Sequence, residues 1–188
     1  MIKQRDKLRE AVWPVRKSVE REFLSDDKGY RYTYARKHSI RIAHEITSTT
    51  SPGYPNYHKE KEMACVVALL HDVPEMVEEV SVDSLRKRYE SIKEFSDYFS
   101  RDEIDEIFLA LSCITRGKIE DSSDYMRRLQ ENRLAAIVKV YDITDNLRAC
   151  FRTGTRKGLV ERYTKALRTL SDSLITEGQA CVDIGNGD

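Results

Sequence analysis

His38, His71, Asp72 and Asp142 each interrupt an otherwise apolar helical stripe, so a fold that buries those stripes must also satisfy four ionisable side chains. His38 shares a face with Ile42 and Ile46 at helical spacing. His71 falls over Val67 and Ala64, Asp72 over Ala68 and Cys65, and Asp142 over Val138 and Ala135. Burying charge against hydrocarbon is costly unless a partner compensates it. A divalent cation would compensate all four groups at once.

The rest of the chain predicts an all-α, single-domain helical bundle. Only 8 Gly and 4 Pro interrupt 188 residues, and β-branched runs of period two are missing. Helices are expected over about 3–23 with a kink at Pro14, 30–47, 59–72, 91–99, 102–114, 124–131, 133–151 and 159–175, with a capped start at Ser81. The apolar run ACVVALL marks the third of these as central, and Pro74 should break or restart the helix after it. TSTTSPGYPNY and RTGTRKG read as loops. The domain is expected over about 1–176, with its core at about 28–170 and a flexible tail over 177–188.

Composition narrows the function classes. Charged residues make up 34% of the chain and balance to a net charge of zero, which argues against a general nucleic-acid or anionic-membrane binder. No apolar run approaches the roughly 20 residues that span a bilayer. The start, MIKQRDKLREAVWPV, lacks the apolar centre of a signal peptide, so a cytoplasmic location is expected. Cys65, Cys113, Cys150 and Cys181 form no C-x-x-C pair and read as reduced packing residues.

Imidazole nitrogen and carboxylate oxygen suit Mn²⁺, Fe²⁺, Co²⁺, Ni²⁺ or Zn²⁺. Two His and two Asp would leave coordination positions open for water and substrate, as a hydrolase needs. No thiol is implicated, which argues against a closed structural zinc site.

The order H…HD…D resembles that of the HD-domain metal-dependent phosphohydrolases, most closely the RelA/SpoT-type domains that remove pyrophosphate from the 3′ position of ppGpp. "KHSIRIAHEI" resembles the helix with the first ligand, "ACVVALLHDVPE" the helix ending in the HD pair, and "LAAIVKVYDITDNLRAC" the K-x-x-D-x-x-x-N helix. "CITRGKIEDSSDYMRRLQEN" is similar to the substrate-side segment of small bacterial and phage relatives. The resemblance implies one divalent ion, Mn²⁺ first, held by His38, His71, Asp72 and Asp142. It also implies Glu75 acting on water, and a small nucleotide bound by Asn146, Lys139, Arg148, Arg116 and Arg31. Self-association into a homo-oligomer stays open.

Two departures accompany the likeness. The family's HDxxED continues here with Glu75 but places Met76 at the second acid. The Arg-Lys pair ahead of the first His has only Lys28, Arg31, Arg36 and Lys37 as candidates. A lone Glu after the HD pair also resembles the HD-type 5′-deoxynucleotidases, although their later Gly-Asp and Pro-rich stretch is missing. A third reading is a degenerate HD domain that binds nucleotide or metal without turnover.

Several neighbours compete for roles. His44 lies about 120° around the helix from His38, which suits a surface or supporting residue. His58, in a Pro/Gly-flanked stretch, reads as solvated. Asp145 is a rival of Asp142, one helical turn away; the family spacing favours Asp142. Glu75 could equally be a helix-start acid beside Pro74. Trp13 is expected to pack the first helix onto the core, and Tyr125 to line the substrate cleft.

Overall fold

The computed structural model describes residues 2–22, 29–48, 57–154 and 157–185, with side chains described for 8, 10–20, 34–48, 58–154 and 157–175. The chain is all-α: α1 (Ile2–Glu22), α2 (Gly29–Ser48), α3 (Tyr57–Leu70), α4 (Val73–Met76), α5 (Val82–Glu90), α6 (Lys93–Tyr98), α7 (Arg101–Ile114), α8 (Ser122–Gln130), α9 (Arg133–Thr153) and α10 (Lys157–Gly185). No strand occurs among the described residues. No helix among them is long and apolar enough to cross a membrane.

α3 positions everything else. From Met63 to Leu70 every residue is buried, because ACVVALL offers no polar face to water. It packs against α1, α2, α7 and α9. The helix stops at Leu70, short of the expected end, and His71 and Asp72 form the turn into α4. Pro74 sits in the first turn of α4, where its missing N–H removes no helical hydrogen bond. The apolar axis of the bundle therefore delivers His71 directly into the interior.

Local chemistry sets the other boundaries. Ser81 opens α5 as the sequence suggests: its Oγ accepts from the Ser84 N–H at 3.1 Å, and Ser84 Oγ accepts from the Ser81 N–H at 3.0 Å. Ser100 and Glu103 open α7 in the same reciprocal way. Asn132 caps α9 by accepting from the Ala135 N–H at 2.8 Å. Gly154 ends α9 at φ 67, a left-handed conformation that a side chain would strain. The stretch RTGTRKG thus has its first two residues inside α9, and residues 155 and 156 lie outside the described set.

Three expectations change. Trp13 does not anchor α1; it is 46% exposed and lies under the Lys17 ammonium, 4.7 Å from the ring centroid. Ala11, Val15 and Val19 form the buried stripe of α1 instead, because Trp13 falls off their face. His58 belongs to the first turn of α3 instead of a loop, although it is exposed as expected. α10 runs on to Gly185, well past the expected end at Ile175; the side chains of the 177–188 tail, Cys181 included, lie outside the described residues. Cys65 and Cys150 are buried and Cys113 half-buried, all as free thiols. Burial pushes the Cys65 thiol up to about 12, which suits a packing residue.

Away from these stripes, Phe95 fills a pocket between Tyr89 and Phe99, with ring centroids 5.7 and 5.0 Å away. Phe95→Ala is expected to cost about 3–5 kcal/mol, the usual range for emptying a buried aromatic site. Urea unfolding would check this, and a loss below about 1 kcal/mol would show that the α5–α6 cluster is peripheral to stability.

Candidate metal centre

α2, the α3–α4 turn and α9 bring three of the four expected ligands together. One ligand atom from each of His38, His71 and Asp142 lies within 4.8 Å of the others. All three residues are buried, at 3%, 3% and 5% exposure. Asp72 stands at the rim: it is half-buried, its Oδ1 is 3.2 Å from His71 Nε2, and it is not part of the three-residue group.

The two histidines are held differently. His71 Nδ1 lies 2.8 Å from the carbonyl oxygen of Ala68, which can only accept, so Nδ1 carries the proton. Its Nε2 is buried and makes no hydrogen bond. That nitrogen faces Asp72 Oδ1 at 3.2 Å and Asp142 Oδ1 at 3.9 Å. A buried imidazole nitrogen that faces two carboxylate oxygens without a hydrogen bond is unfavourable unless a proton or a metal cation lies among them. The donor set, two imidazoles and one or two carboxylates, therefore fits a divalent transition metal.

His38 is satisfied on both sides. Nε2 is 2.7 Å from Asp142 Oδ1 and Nδ1 is 2.6 Å from Asp145 Oδ2. Burial alone would lower its pKa, but the two carboxylate hydrogen bonds outweigh burial and raise it to about 9. Asp142 collects further partners. Lys139 Nζ lies 2.7 Å from its Oδ2, and Asn146 Nδ2 donates to its Oδ1 at 2.7 Å. Burial pushes the Asp142 carboxyl up, yet the Lys139 charge and the His38 hydrogen bond hold it well below the usual range. Burial likewise opposes the Lys139 charge, and Asp142 more than restores it.

The remaining expected residues are spread around this core. Asn146 is spent on Asp142 and accepts from the Tyr34 hydroxyl at 3.3 Å. Glu75 is exposed in α4 and its Oε1 accepts from the Arg116 backbone N–H at 2.7 Å. The Arg116 guanidinium lies 5.6 Å from the Tyr125 ring and donates to the Glu120 carbonyl and Ser122 Oγ. Tyr125 is buried, and its hydroxyl donates to the Ile114 carbonyl at 2.7 Å. Arg148 pairs with Glu45 on α2. Lys28 and the side chain of Arg31 lie outside the described residues. His44 is exposed.

Two contributors were missed. Asp145, the rival of Asp142 in the sequence, is buried and bonds the far side of His38. Arg41 grips it with two donors, Nε to Oδ1 at 3.0 Å and Nη2 to Oδ2 at 2.7 Å. The signal was present, since Arg41 and Asp145 follow His38 and Asp142 by one helical turn and so share their faces. Neither a family model, nor a curated protein, nor a solved structure matches the chain.

A pH prediction arises from His38. A metal ligand must present a bare nitrogen, so binding must expel the Nε2 proton. Apparent metal affinity should rise about tenfold per pH unit up to about 9 and then level off. Stability of the chelated protein should move the other way. A folded pKa raised above the unfolded value of about 6.5 gives stability that is complete below about 6.5 and is lost as pH rises through about 9. Calorimetric titration and thermal melts over this window, with and without chelator, check both slopes. A pH-independent affinity would remove His38 from the ligand set.

Proposed function

We propose that this chain is a metal-dependent phosphohydrolase acting on a small nucleotide. The observation that carries the proposal is the buried convergence of His38, His71 and Asp142 around the unbonded Nε2 of His71. His38, His71 and Asp142 would hold the ion, with Asp72 at the rim as the fourth candidate. A bound divalent cation supplies a water of lowered pKa and polarises a phosphoryl oxygen.

The chain's own groups do the rest. Lys139 neutralises Asp142 and keeps a positive charge beside the ligands. Its ammonium and the Arg116 guanidinium each lie 5.6 Å from the Tyr125 ring, so cationic groups gather where an anionic substrate would arrive. Asn146 fixes the orientation of Asp142. Glu75, held by the Arg116 N–H, is the group to orient or deprotonate water. The substrate proposed first is a pyrophosphorylated nucleotide of the ppGpp type. Nucleoside 5′-monophosphates are the alternative substrates.

A second reading has its own observation. Met76, at the position where the RelA/SpoT-like pattern carries an acid, packs against the hydrophobic core. A site with one acid fewer could bind metal and nucleotide without turnover. Metal analysis after chelator-free purification, followed by a phosphate and pyrophosphate release screen with Mn²⁺, Co²⁺, Ni²⁺ and Mg²⁺, separates these readings. Pyrophosphate from ppGpp is expected. Orthophosphate only, from 5′-monophosphates, would move the protein to nucleotidase chemistry. Stoichiometric metal with no release would favour the binding module, and no metal at any pH would sink the site.

A further inference from the structure

We infer that Asp145 and Arg41 form a positioning pair that orients the His38 ring and so sets the affinity of the centre for its ion. The inference rests on the metal reading above and adds residues to which that reading gives no role.

The geometry is unusual for a mere tie between two helices. Asp145 is 3% exposed, yet it is charged, and its two oxygens are fully committed. Oδ2 meets His38 Nδ1 at 2.6 Å and Arg41 Nη2 at 2.7 Å, while Oδ1 accepts from Arg41 Nε at 3.0 Å. A planar guanidinium matched to a carboxylate in this way fixes the carboxylate plane as well as its charge. The carboxylate in turn fixes the imidazole within its own plane. Tyr34 controls the other direction: its ring stacks on His38 at 5.6 Å between centroids with 15° between planes. Nε2 is left as the one nitrogen that can face an ion.

His71 is oriented by its own helix instead. There the orienting acceptor is the Ala68 carbonyl, a group of the helix itself. His38 lies mid-helix in α2, where backbone carbonyls are already used by the helical ladder. A side chain from another helix must do the work, and Asp145 is the one in place. A carboxylate behind a ligating imidazole also makes the ligand a better donor, and outer partners of this kind are worth about 10–100-fold in metal affinity. Arg41 has a second consequence. With both Asp145 oxygens occupied, that carboxylate is kept from replacing His38 as a ligand.

The test uses Co²⁺ as the probe, read by calorimetry and by the visible absorption of the loaded protein. Asp145→Ala removes hydrogen bond and charge, and is expected to weaken Co²⁺ binding about 100-fold. Asp145→Asn keeps an acceptor for Nδ1 and removes the charge, so a loss of about tenfold is expected, with an altered Co²⁺ spectrum. Arg41→Gln, at a side chain 39% exposed, should weaken binding in the same direction and remains informative if the buried variants fold poorly. Glu60→Gln cuts the α3–α9 ion pair with Arg133, which does not involve α2, and should leave affinity and spectrum unchanged. Wild-type affinity and spectrum in Asp145→Ala, or in Arg41→Gln if the former does not fold, would overturn the inference while leaving the metal reading intact. Wild-type protein that takes up no Co²⁺ would overturn both.

Discussion

Asp142→Ala should abolish metal binding and hydrolysis together, and should also destabilise the chelated protein, whereas His71→Leu should abolish metal binding with little cost to the fold. The contrast follows from which groups each side chain satisfies. Asp142 accepts from His38 and Asn146 and neutralises Lys139. Removing it strands two buried or half-buried cations, and breaking such a pair costs about 3–5 kcal/mol. His71 contributes one hydrogen bond, to the Ala68 carbonyl, and one buried nitrogen with none. Losing the bond costs about 1 kcal/mol, and removing an unsatisfied buried nitrogen returns about 1–3 kcal/mol, so replacement by leucine should come out near neutral. Thermal melts with chelator should therefore show a large drop for Asp142→Ala and a small change for His71→Leu. Melts with added Mn²⁺ should show a stabilising shift in the wild type and none in either variant. A metal-induced shift surviving in His71→Leu would place the ion elsewhere.

How far the sequence could be read depended on what kind of physics fixed each feature. ACVVALL has no polar face, so α3 could only be central, and its burial from Met63 to Leu70 follows directly. Ser81, Asn132 and Gly154 act through local hydrogen bonds or backbone geometry, which is why helix limits were legible near them. His38, His71 and Asp142 were legible because each breaks an apolar stripe. Asp72 was harder: in a continued helix it would lie over Ala68, but α3 ends at Leu70 and the turn carries it to the rim. The roles of Asp145 and Arg41 depend on how α2 and α9 face each other, and no single-helix pattern encodes that. Trp13 failed for the converse reason, since a large aromatic can cover its own helix's lysine and arginine without entering the core. The engagement of Arg148 by Glu45 is likewise a long-range event that spacing along α9 cannot show.

Glu75→Gln should lower kcat by about 10²–10⁴ with metal content and substrate affinity unchanged. The substitution is unusually clean here. Glu75 is exposed, so its charge contributes little to folding, and its one described hydrogen bond is to the Arg116 N–H through Oε1. Glutamine retains a carbonyl oxygen that can accept that bond, so the link between α4 and the segment after α7 survives. What is lost is the ability to take a proton. A pure loss of structure would instead raise KM or release metal. Met76, next in the chain, is packed against the core where the RelA/SpoT-like pattern has a second carboxylate, so that position supplies no second acid. An unchanged kcat would remove Glu75 from the chemistry and leave it as the residue that ties α4 to the Arg116 segment.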